Sequence, residues 1–561
     1  MHNFAEAYPA KVPGAIRNYL PLLAIFFAAL LSGGLAFGVT LNGHFLGDDF
    51  GYIARFSRLP FSDWPRLFVH EWSDGMWGLQ LRELRPFTAL SLMIDAHFWG
   101  GNASGYRVTN LLIHAICATL VGLIAWRSTG RSLVVGLAGA VLFAWHPAHA
   151  EPVLWITGRV DVLATLFYLA GFYAFLRYRE TLSGLSLVLF TSAYAAAAFS
   201  KEFGLTLPAM LVAADLLWCL SATKNSTARK TWNLVAPYIG AASVLLVYYF
   251  CRRAAFGPGG TGTSLPDWTS SAFHEQFAQR QLTYLGHLLP PLGLWFVEGA
   301  PLLVHHAVRT LALVAVGVAI ALAAHFWLFH RRRATSPAVI SSSGGLFFGL
   351  GWYLVATLPL VITYVSARHL YLASAGVCIA LAVALHAVLR ARVAYAVGAL
   401  ALAALFAHRL TLTTAPWSEA GRRSHEVAQQ LAWVAAHAKP GAVVLIDLPP
   451  SIHGAFFWAW ATPFALRPPF TPEPLDDRLI ILEDMATHYD WERWHQRPVL
   501  GKLATVTEES WLIQSFTEHP TRRTPLSATK LRAAAPSFLA APTTPHQHVA
   551  WRKLVDSATA P

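Results

Sequence analysis

Long apolar blocks alternate with short polar hinges from about residue 17 to residue 413 of the chain. A helix that crosses a membrane needs about 20 predominantly apolar residues. The pattern therefore predicts a polytopic α-helical membrane protein. The predicted transmembrane helices, about eleven, cover residues 17–40, 106–126, 131–147, 152–176, 183–200, 203–222, 232–252, 300–328, 343–365, 369–390 and 393–413.

The composition becomes ordinary after Thr414. The string AVVLIDLPPSIHG is typical of a buried strand followed by a loop. We therefore predict two domains. Residues 1–414 form the transmembrane domain, which includes a first outer loop, 41–105, with interfacial helices. Residues 415–561 form a small extracytoplasmic domain, α/β or irregular, whose end is rich in Ala, Pro and Thr and is expected to be poorly ordered.

Composition supports the membrane assignment. Of the 561 residues, 55% are hydrophobic and only 13% are charged, whereas a soluble domain carries roughly 25% charged residues. This excludes an ordinary soluble protein, a disordered chain and a coiled coil. The net charge of +12 comes mainly from basic residues beside apolar spans. It therefore indicates membrane topology rather than a nucleic-acid partner.

The basic clusters also predict the orientation. They fall at alternate junctions between spans, and cytoplasmic loops of membrane proteins are enriched in Lys and Arg. The N-terminus is then cytoplasmic, and the opposite side receives the hinges 146–151, 200–202 and 366–369, the loops 41–105 and 253–299, and the tail. Arg outnumbers Lys and Ala is abundant, which favours a bacterial inner membrane with a periplasmic or extracellular C-terminal domain.

Two adjacent carboxylates, Asp48 and Asp49, follow the first predicted span in the string GDDFGYI. Neighbouring carboxylates repel each other, so one can have a raised pKa and act as a general base. The alternative is a solvated acidic loop or a helix N-cap. In the same loop, Arg85 precedes Pro86 in ELRPFT. It is a candidate phosphate ligand among residues that otherwise anchor the loop in the interface.

A second group of ionisable residues lies in WHPAHAEPVLWITGRVDVLATL, between two spans on the same side. The candidate substrate-binding residues there are His146, His149, Glu151, Arg159 and Asp161. The first three imitate metal-ligand spacing, but the prolines at 147 and 152 break the helical face that such a site needs. Arg159 and Asp161 fit a buried polar network that supports the loop carboxylates.

Two later outer hinges supply the remaining candidates. Lys201 and Glu202 occupy FSKEFG, and Arg368, His369 and Tyr371 occupy VSARHLYLASAG. Isolated charges at such hinges can be interfacial anchors. Arg368 is the better candidate for binding an anion, because the planar guanidinium matches phosphate oxygens.

Together these motifs resemble those of a known family. The order DD, RPFTALS, HPAHAEPVLWITGRVDVLATL, SKEFGLTLPAMLVAADLL and RHLYLASAG resembles the GT-C membrane glycosyltransferases. It is nearest to the protein O-mannosyltransferases with C-terminal tetratricopeptide repeats and their bacterial relatives. The resemblance covers about residues 20–415. It implies a polyprenyl-phosphate sugar donor, with Asp48 as catalytic base, Asp49 as its acidic neighbour, and Arg85 and Arg368 facing the donor phosphate.

The tail departs from this family, because residues 414–561 show no 34-residue helical period. A protein, a glycolipid and a surface glycan are therefore equally open as acceptors. Metal use differs within the fold, so the resemblance decides no cofactor and leaves a divalent metal open. We expect an inverting, single-displacement glycosyltransferase in the lipid bilayer. The alternatives are a transporter of a lipid-linked glycan or ion, and a non-catalytic membrane scaffold.

Overall fold

The structure is a computed structural model. It describes residues 14–77, 80–221, 231–258, 270–288, 342–362, 366–389, 391–458, 461–475, 478–483, 503, 505–506, 509–516, 519–540 and 545–559.

The described part of the chain before residue 438 is mainly helical. The helices are α1 (Gly14–Phe37), α2 (Asp48–Phe56), α3 (Pro86–Trp99), α4 (Ala103–Ser128), α5 (Leu133–Ala144), α6 (Ala150–Leu154), α7 (Arg159–Thr181), α8 (Gly184–Ala198), α9 (Leu207–Ser221), α10 (Thr231–Phe256), α11 (Ser271–Leu288), α12 (Ser342–Thr357), α13 (Tyr371–Val388) and α14 (Arg392–His437). The prediction of a polytopic helical protein is confirmed.

Several of these helices are candidates for membrane spans. Within the described residues, 6 helices are long and apolar enough to cross a membrane, and a pair bent by 49°, Leu133–Ala144 with Pro147–Leu154, brings the number to 7. Gly184–Ala198 and Phe348–Leu360 are apolar but shorter. The predicted span 300–328 lies outside the described residues. The count of about eleven therefore stays a prediction.

Helix packing relies on small residues where backbones come close. A Cβ atom on Gly122 of α4 would lie 2.6 Å from the carbonyl oxygen of Gly136 in α5, so no larger residue fits at this crossing. Small residues at such crossings are typical of membrane helix pairs.

The loop 41–105 contains short helical elements, as the sequence predicts. They are α2, a 3₁₀ segment at Phe61–Phe68, and α3. Pro86 occupies the first turn of α3, where its missing amide proton costs no hydrogen bond. Phe98 at the other end of α3 is exposed, which fits a position in the membrane interface.

The C-terminal region contains a small sheet, so of the two forms that the sequence left open, α/β or irregular, the α/β form is observed. The string AVVLIDL forms a fully buried strand, β1 (Val443–Asp447). The other strands are β2 (Ser451–Ile452), β3 (Ala455–Phe456), β4 (Ile480–Glu483), β5 (Ser510–Phe516) and β6 (His519–Leu526), and a short helix, α15 (Thr462–Ala465), lies between β3 and β4. The main sheet has the order β4-β1-β5-β6, with β1 parallel to both neighbours and β6 antiparallel to β5.

Two further features concern the expected domain boundary and the end of the chain. Helix α14 runs without a break across residue 415, the expected domain boundary, and leads into β1. The helices α16 (Ala528–Leu539) and α17 (Pro545–Thr559) follow the sheet. Although composition predicts poor order near the end, Trp551 and Leu554 of α17 are each only 1% exposed. Burying these large apolar side chains opposes the disordering effect of the surrounding Ala, Pro and Thr.

Candidate functional site

Asp49 is a buried structural link between α2 and the loop before α7. Its Oδ1 accepts hydrogen bonds from the backbone N–H and the hydroxyl of Thr157, both at 2.8 Å, and its Oδ2 accepts one from the N–H of Leu46 at 3.0 Å. Burial raises the pKa of Asp49 to about 6, and these hydrogen bonds oppose the rise. The carboxylate is thus fully engaged with protein groups.

Asp48 lies in a different environment from its neighbour. Consecutive residues of an α-helix point about 100° apart, so Asp48 does not share the pocket of Asp49. Its side chain is half-buried. Tyr52, one turn further along α2, has a pKa raised by burial and then by the charges of Glu83 and Asp48. Tyr52 also stacks on Trp72, with ring centroids 3.9 Å apart, and Trp72 donates to Glu83, so Tyr52 links α2 to the residues around Glu83.

Arg85 lies between two carboxylates. Its guanidinium is 2.6 Å from Glu83 Oε1 and 3.2 Å from Glu202 Oε2. It also lies 5.2 Å from the ring centroid of Trp72, whose indole N–H donates to Glu83. Burial acts to lower the pKa of Arg85, but the two carboxylates outweigh it and raise the pKa. Arg85 is therefore a permanently charged cation held in one position.

The three hinges that the sequence places on one side, 146–151, 200–202 and 366–369, contribute residues beside this group. Lys201 Nζ lies 2.5 Å from Asp161 Oδ1. Arg368 Nε lies 3.6 Å from Glu151 Oε1 and 3.9 Å from Asp161 Oδ2. The hydroxyl of Ser366 donates to Glu151. The resulting charged cluster consists of Glu83, Arg85, Glu151, Asp161, Lys201, Glu202 and Arg368.

Arg159 belongs to a separate buried network. It lies 2.5 Å from Asp95 and donates to Asn110 Oδ1 at 2.6 Å and to the carbonyl of Tyr106 at 2.9 Å. Its side chain is 0% exposed. These contacts tie α7 to α3 and α4 from within. The sequence groups Arg159 with Asp161 in one network that supports the loop carboxylates, whereas Asp161 contacts Lys201 and Arg368. The partners of Arg159 therefore differ from those of the charged cluster.

The histidine and tyrosine candidates make contacts between helices. His146 Nε2 lies 3.1 Å from the carbonyl oxygen of Leu288, and His149 Nε2 lies 2.8 Å from Ser374 Oγ. The hydroxyl of Tyr371 lies 2.6 Å from His114 Nδ1. His369 is buried, 6% exposed. Their predicted role in binding substrate stays a prediction.

No metal centre is visible in the part of the chain that the structure describes. There, no three His, Cys, Asp or Glu side chains gather in an arrangement that could hold a metal ion.

The sequence reasoning missed several residues of this site. Glu83 and Trp72 hold Arg85, and Thr157 holds Asp49. Glu83 could have been found, because acidic residues are scarce and it lies two positions before Arg85. Trp72 and Thr157 carry no comparable signal in the sequence.

Fold and site together define a class: a helical membrane protein with a half-buried carboxylate and a compact charged cluster at one end of its bundle. No family model matches the chain. The chain is similar to Protein O-mannosyl-transferase TMTC4 of Homo sapiens, with 30% identity over 187 residues, which are 28% of this chain and 24% of that protein. It is also similar to Protein O-mannosyl-transferase Tmtc2 of Drosophila melanogaster, with 33% identity over 165 residues, 27% of this chain and 17% of that protein.

The chain therefore spans about a quarter or less of the length of these curated relatives. Among solved structures, ArnT from Cupriavidus metallidurans bound to undecaprenyl phosphate is similar at 14% identity with a TM-score of 0.42, over 90% of this chain and 94% of that chain. The sequence comparisons confirm the resemblance to the membrane O-mannosyltransferases that the motifs indicate.

Proposed function

We propose that this protein is a membrane glycosyltransferase that moves a sugar from a polyprenyl-phosphate donor to an extracytoplasmic acceptor. The observation that carries the proposal is a half-buried Asp48 on α2, the helix whose Tyr52 stacks on Trp72 against a cluster with three cations, Arg85, Lys201 and Arg368. A general base and a set of fixed cations are the two components that displacement of a phosphate leaving group requires.

The reaction proceeds as a single displacement. Asp48 takes the proton of an acceptor hydroxyl, and the acceptor oxygen forms a bond to the anomeric carbon. The bond between that carbon and the phosphate oxygen breaks, and polyprenyl phosphate leaves with the electron pair. Attack from the side opposite the leaving group inverts the anomeric configuration. Fixed cations stabilise the negative charge that develops on the phosphate.

Asp48 fits the role of base better than Asp49 does. A base must reach the hydroxyl proton within hydrogen-bond distance. Both oxygens of Asp49 already accept hydrogen bonds from Thr157 and Leu46, and its side chain is 0% exposed. Asp49 instead holds α2 in place, which makes it a positioning residue.

Arg368 is the cation best placed to bind the donor phosphate. Arg85 already lies between two carboxylates, at 2.6 and 3.2 Å. The planar guanidinium of Arg368 matches phosphate oxygens better than the ammonium of Lys201 does. Its stacking 4.7 Å from the ring centroid of Trp155 keeps the planar group oriented.

Replacing Arg368 with alanine is therefore expected to raise the donor KM by about 10- to 100-fold, the effect of losing hydrogen bonds to a charged group. Steady-state kinetics at varied donor concentration measure the change. Arg127→Ala is a matched control, because Arg127 pairs with Glu180 away from this cluster. Unchanged donor kinetics in Arg368→Ala would refute the assignment.

The lowered pKa of Lys201 predicts that activity falls at alkaline pH. Burial lowers its pKa to about 8, partly opposed by the attraction of Asp161, and the charges of Arg368 and Arg85 lower it further. The ammonium loses its proton as the pH rises through about 8, so kcat/KM for the donor is expected to fall above that pH. Arginine in the Lys201→Arg variant keeps its charge at these pH values, so the fall in kcat/KM above pH 8 should disappear. The same fall in Lys201→Arg as in the wild type would contradict the prediction.

A transporter would use buried charges along a path through the bilayer. The contacts of the charged cluster instead join the outer hinges at one end of the described helices, which favours a transferase. An assay of purified protein with labelled polyprenyl-phosphate sugars and candidate acceptors tests the proposal. Transfer supports it, whereas flux without transfer indicates a transporter, and neither activity indicates a scaffold.

A further inference from the structure

The segment 43–47 determines where Asp48 lies, because it is the chain that enters α2. Its backbone polar groups are bound on several sides. The carbonyls of Gly43 and His44 accept from Arg107, and the N–H of His44 donates to the carbonyl of Gly421 at 3.1 Å. A Cβ on Gly421 would lie 3.1 Å from the Gly43 Cα atom, so α14 and this segment are in close backbone contact.

The end of the segment next to Asp48 is also bound. The N–H of Leu46 donates to Asp49, and its carbonyl accepts from the indole of Trp155 at 3.2 Å. The N–H of Gly47 donates to the carbonyl of Phe457 in the C-terminal domain. Gly47 has a φ of 50°, a conformation that favours glycine.

A directed hydrogen-bond relay connects the C-terminal domain to this segment. The indole N–H of Trp458 donates to Ser424 Oγ at 2.8 Å, and the hydroxyl of Ser424 donates to the carbonyl of Phe45 at 2.7 Å. Trp458 is 1% exposed and Ser424 is buried at 0%. A hydroxyl has one proton to donate, so the indole bond on the Ser424 oxygen leaves that proton directed at Phe45.

Aromatic packing completes the contact. The ring of Phe50 in α2 lies 5.1 Å from that of Trp458 and 4.9 Å from that of Phe470. Two segments of the C-terminal domain thus pack directly on the helix that carries Asp48. A domain that only recruited an acceptor would need no such contacts.

We infer that the C-terminal domain positions the catalytic base: the relay from Trp458 through Ser424 to the Phe45 carbonyl sets the position of Asp48. Trp458 and Ser424 are positioning residues, since they act through the backbone and do not contact the reacting atoms. The kinetic part of this inference rests on the proposed function. A 1 Å displacement of a catalytic group lowers the rate by about 10²-fold. A smaller displacement of Asp48 should therefore still produce a measurable fall in kcat.

Trp458→Phe removes the indole N–H and keeps an aromatic ring. We expect kcat to fall about 3- to 10-fold, the effect of one hydrogen bond, with an unchanged donor KM. Ser424→Ala removes the same relay with a smaller change in volume, and the double variant should be no slower than the slower single variant. Trp551→Phe is the matched control, because it removes a buried indole bond to Asp447 in the same domain and should leave kcat unchanged.

The Asp48→Asn background separates positioning from general destabilisation. If Trp458 acts through Asp48, Trp458→Phe leaves the residual rate of Asp48→Asn unchanged. A further fall of the rate in that background would overturn the inference, as would a wild-type kcat in both Trp458→Phe and Ser424→Ala.

Hydrogen exchange tests the relay without any activity. Amides of residues 44–50 should exchange faster in Trp458→Phe and Ser424→Ala than in the wild type and Trp551→Phe. Unchanged protection in both relay variants would overturn the inference. If the wild-type protein transfers no sugar, the proposed function fails while the exchange result still decides whether this relay holds the segment before α2.

Discussion

Replacing Asp48 with asparagine is expected to lower the rate of sugar transfer by about 10²–10⁴-fold, the usual contribution of a general base. The amide has nearly the same shape as the carboxylate but does not take a proton from the acceptor hydroxyl. Because Asp48 is half-buried at the start of α2, the exchange leaves the packing of that helix intact. Initial rates at saturating donor and acceptor measure the effect.

Asp49→Asn provides the matched comparison. Three groups donate hydrogen bonds to the Asp49 carboxylate: the N–H of Leu46 and the N–H and hydroxyl of Thr157. In Asp49→Asn the new NH₂ group is itself a donor and would face at least one of them. One buried donor is left without an acceptor, which lowers the free energy of unfolding by about 1–3 kcal/mol. Asp48→Asn should therefore lose activity at wild-type stability, whereas Asp49→Asn should lose stability. Wild-type turnover in a correctly inserted Asp48→Asn protein would remove Asp48 as the base.

Replacing Arg159 with methionine is expected to lower the free energy of unfolding by about 3–5 kcal/mol, the effect of breaking a buried ion pair. The substitution leaves the carboxylate of Asp95 buried at 4% exposure without its cation. It also removes the hydrogen bonds to Asn110 and to the Tyr106 carbonyl. Titration with a denaturing detergent measures the change.

Removing both charges should recover part of this loss. Apolar replacements of a complete buried pair are often tolerated, so Arg159→Met with Asp95→Leu should be more stable than Arg159→Met alone. A stable Arg159→Met protein with a raised donor KM would contradict the structural role and restore the sequence-based prediction that Arg159 binds substrate.

The general arrangement of the bundle could be predicted because a helix that crosses a membrane needs a long apolar stretch, which is visible in the sequence. The apolar blocks predict the helices, and the alternation of basic clusters predicts that the hinges 146–151, 200–202 and 366–369 share one side. The contacts of Arg368 with Glu151 and of Lys201 with Asp161 agree with this grouping. The full orientation in the membrane stays a prediction.

The assignment of partners within the site could not be predicted. Asp48 and Asp49 are adjacent in sequence, yet helix geometry separates them into a half-buried and a fully buried environment. Arg159 and Asp161 lie two positions apart, but their side chains join different networks. These outcomes depend on which helix packs against each face, and local sequence does not contain that information.

The continuation of α14 beyond the apolar block could not be predicted either. The apolar pattern ends near residue 413, whereas the helix continues to His437. Arg422 pairs with Glu419 and Glu426 at helical spacing, and such pairs stabilise an exposed helix. Contacts between the C-terminal domain and α2, such as that of Trp458 with Phe50, join residues far apart in sequence and leave no local pattern.

The most direct test of the central claim uses purified wild-type protein, a polyprenyl-phosphate sugar labelled at the anomeric carbon, and a panel of protein, glycolipid and glycan acceptors. The account predicts labelled sugar on an acceptor hydroxyl, an equal amount of free polyprenyl phosphate, and an anomeric configuration opposite to that of the donor by NMR. Transfer with retained configuration would contradict the single displacement. Movement of the lipid-linked sugar across a vesicle membrane without any transfer would contradict the glycosyltransferase itself.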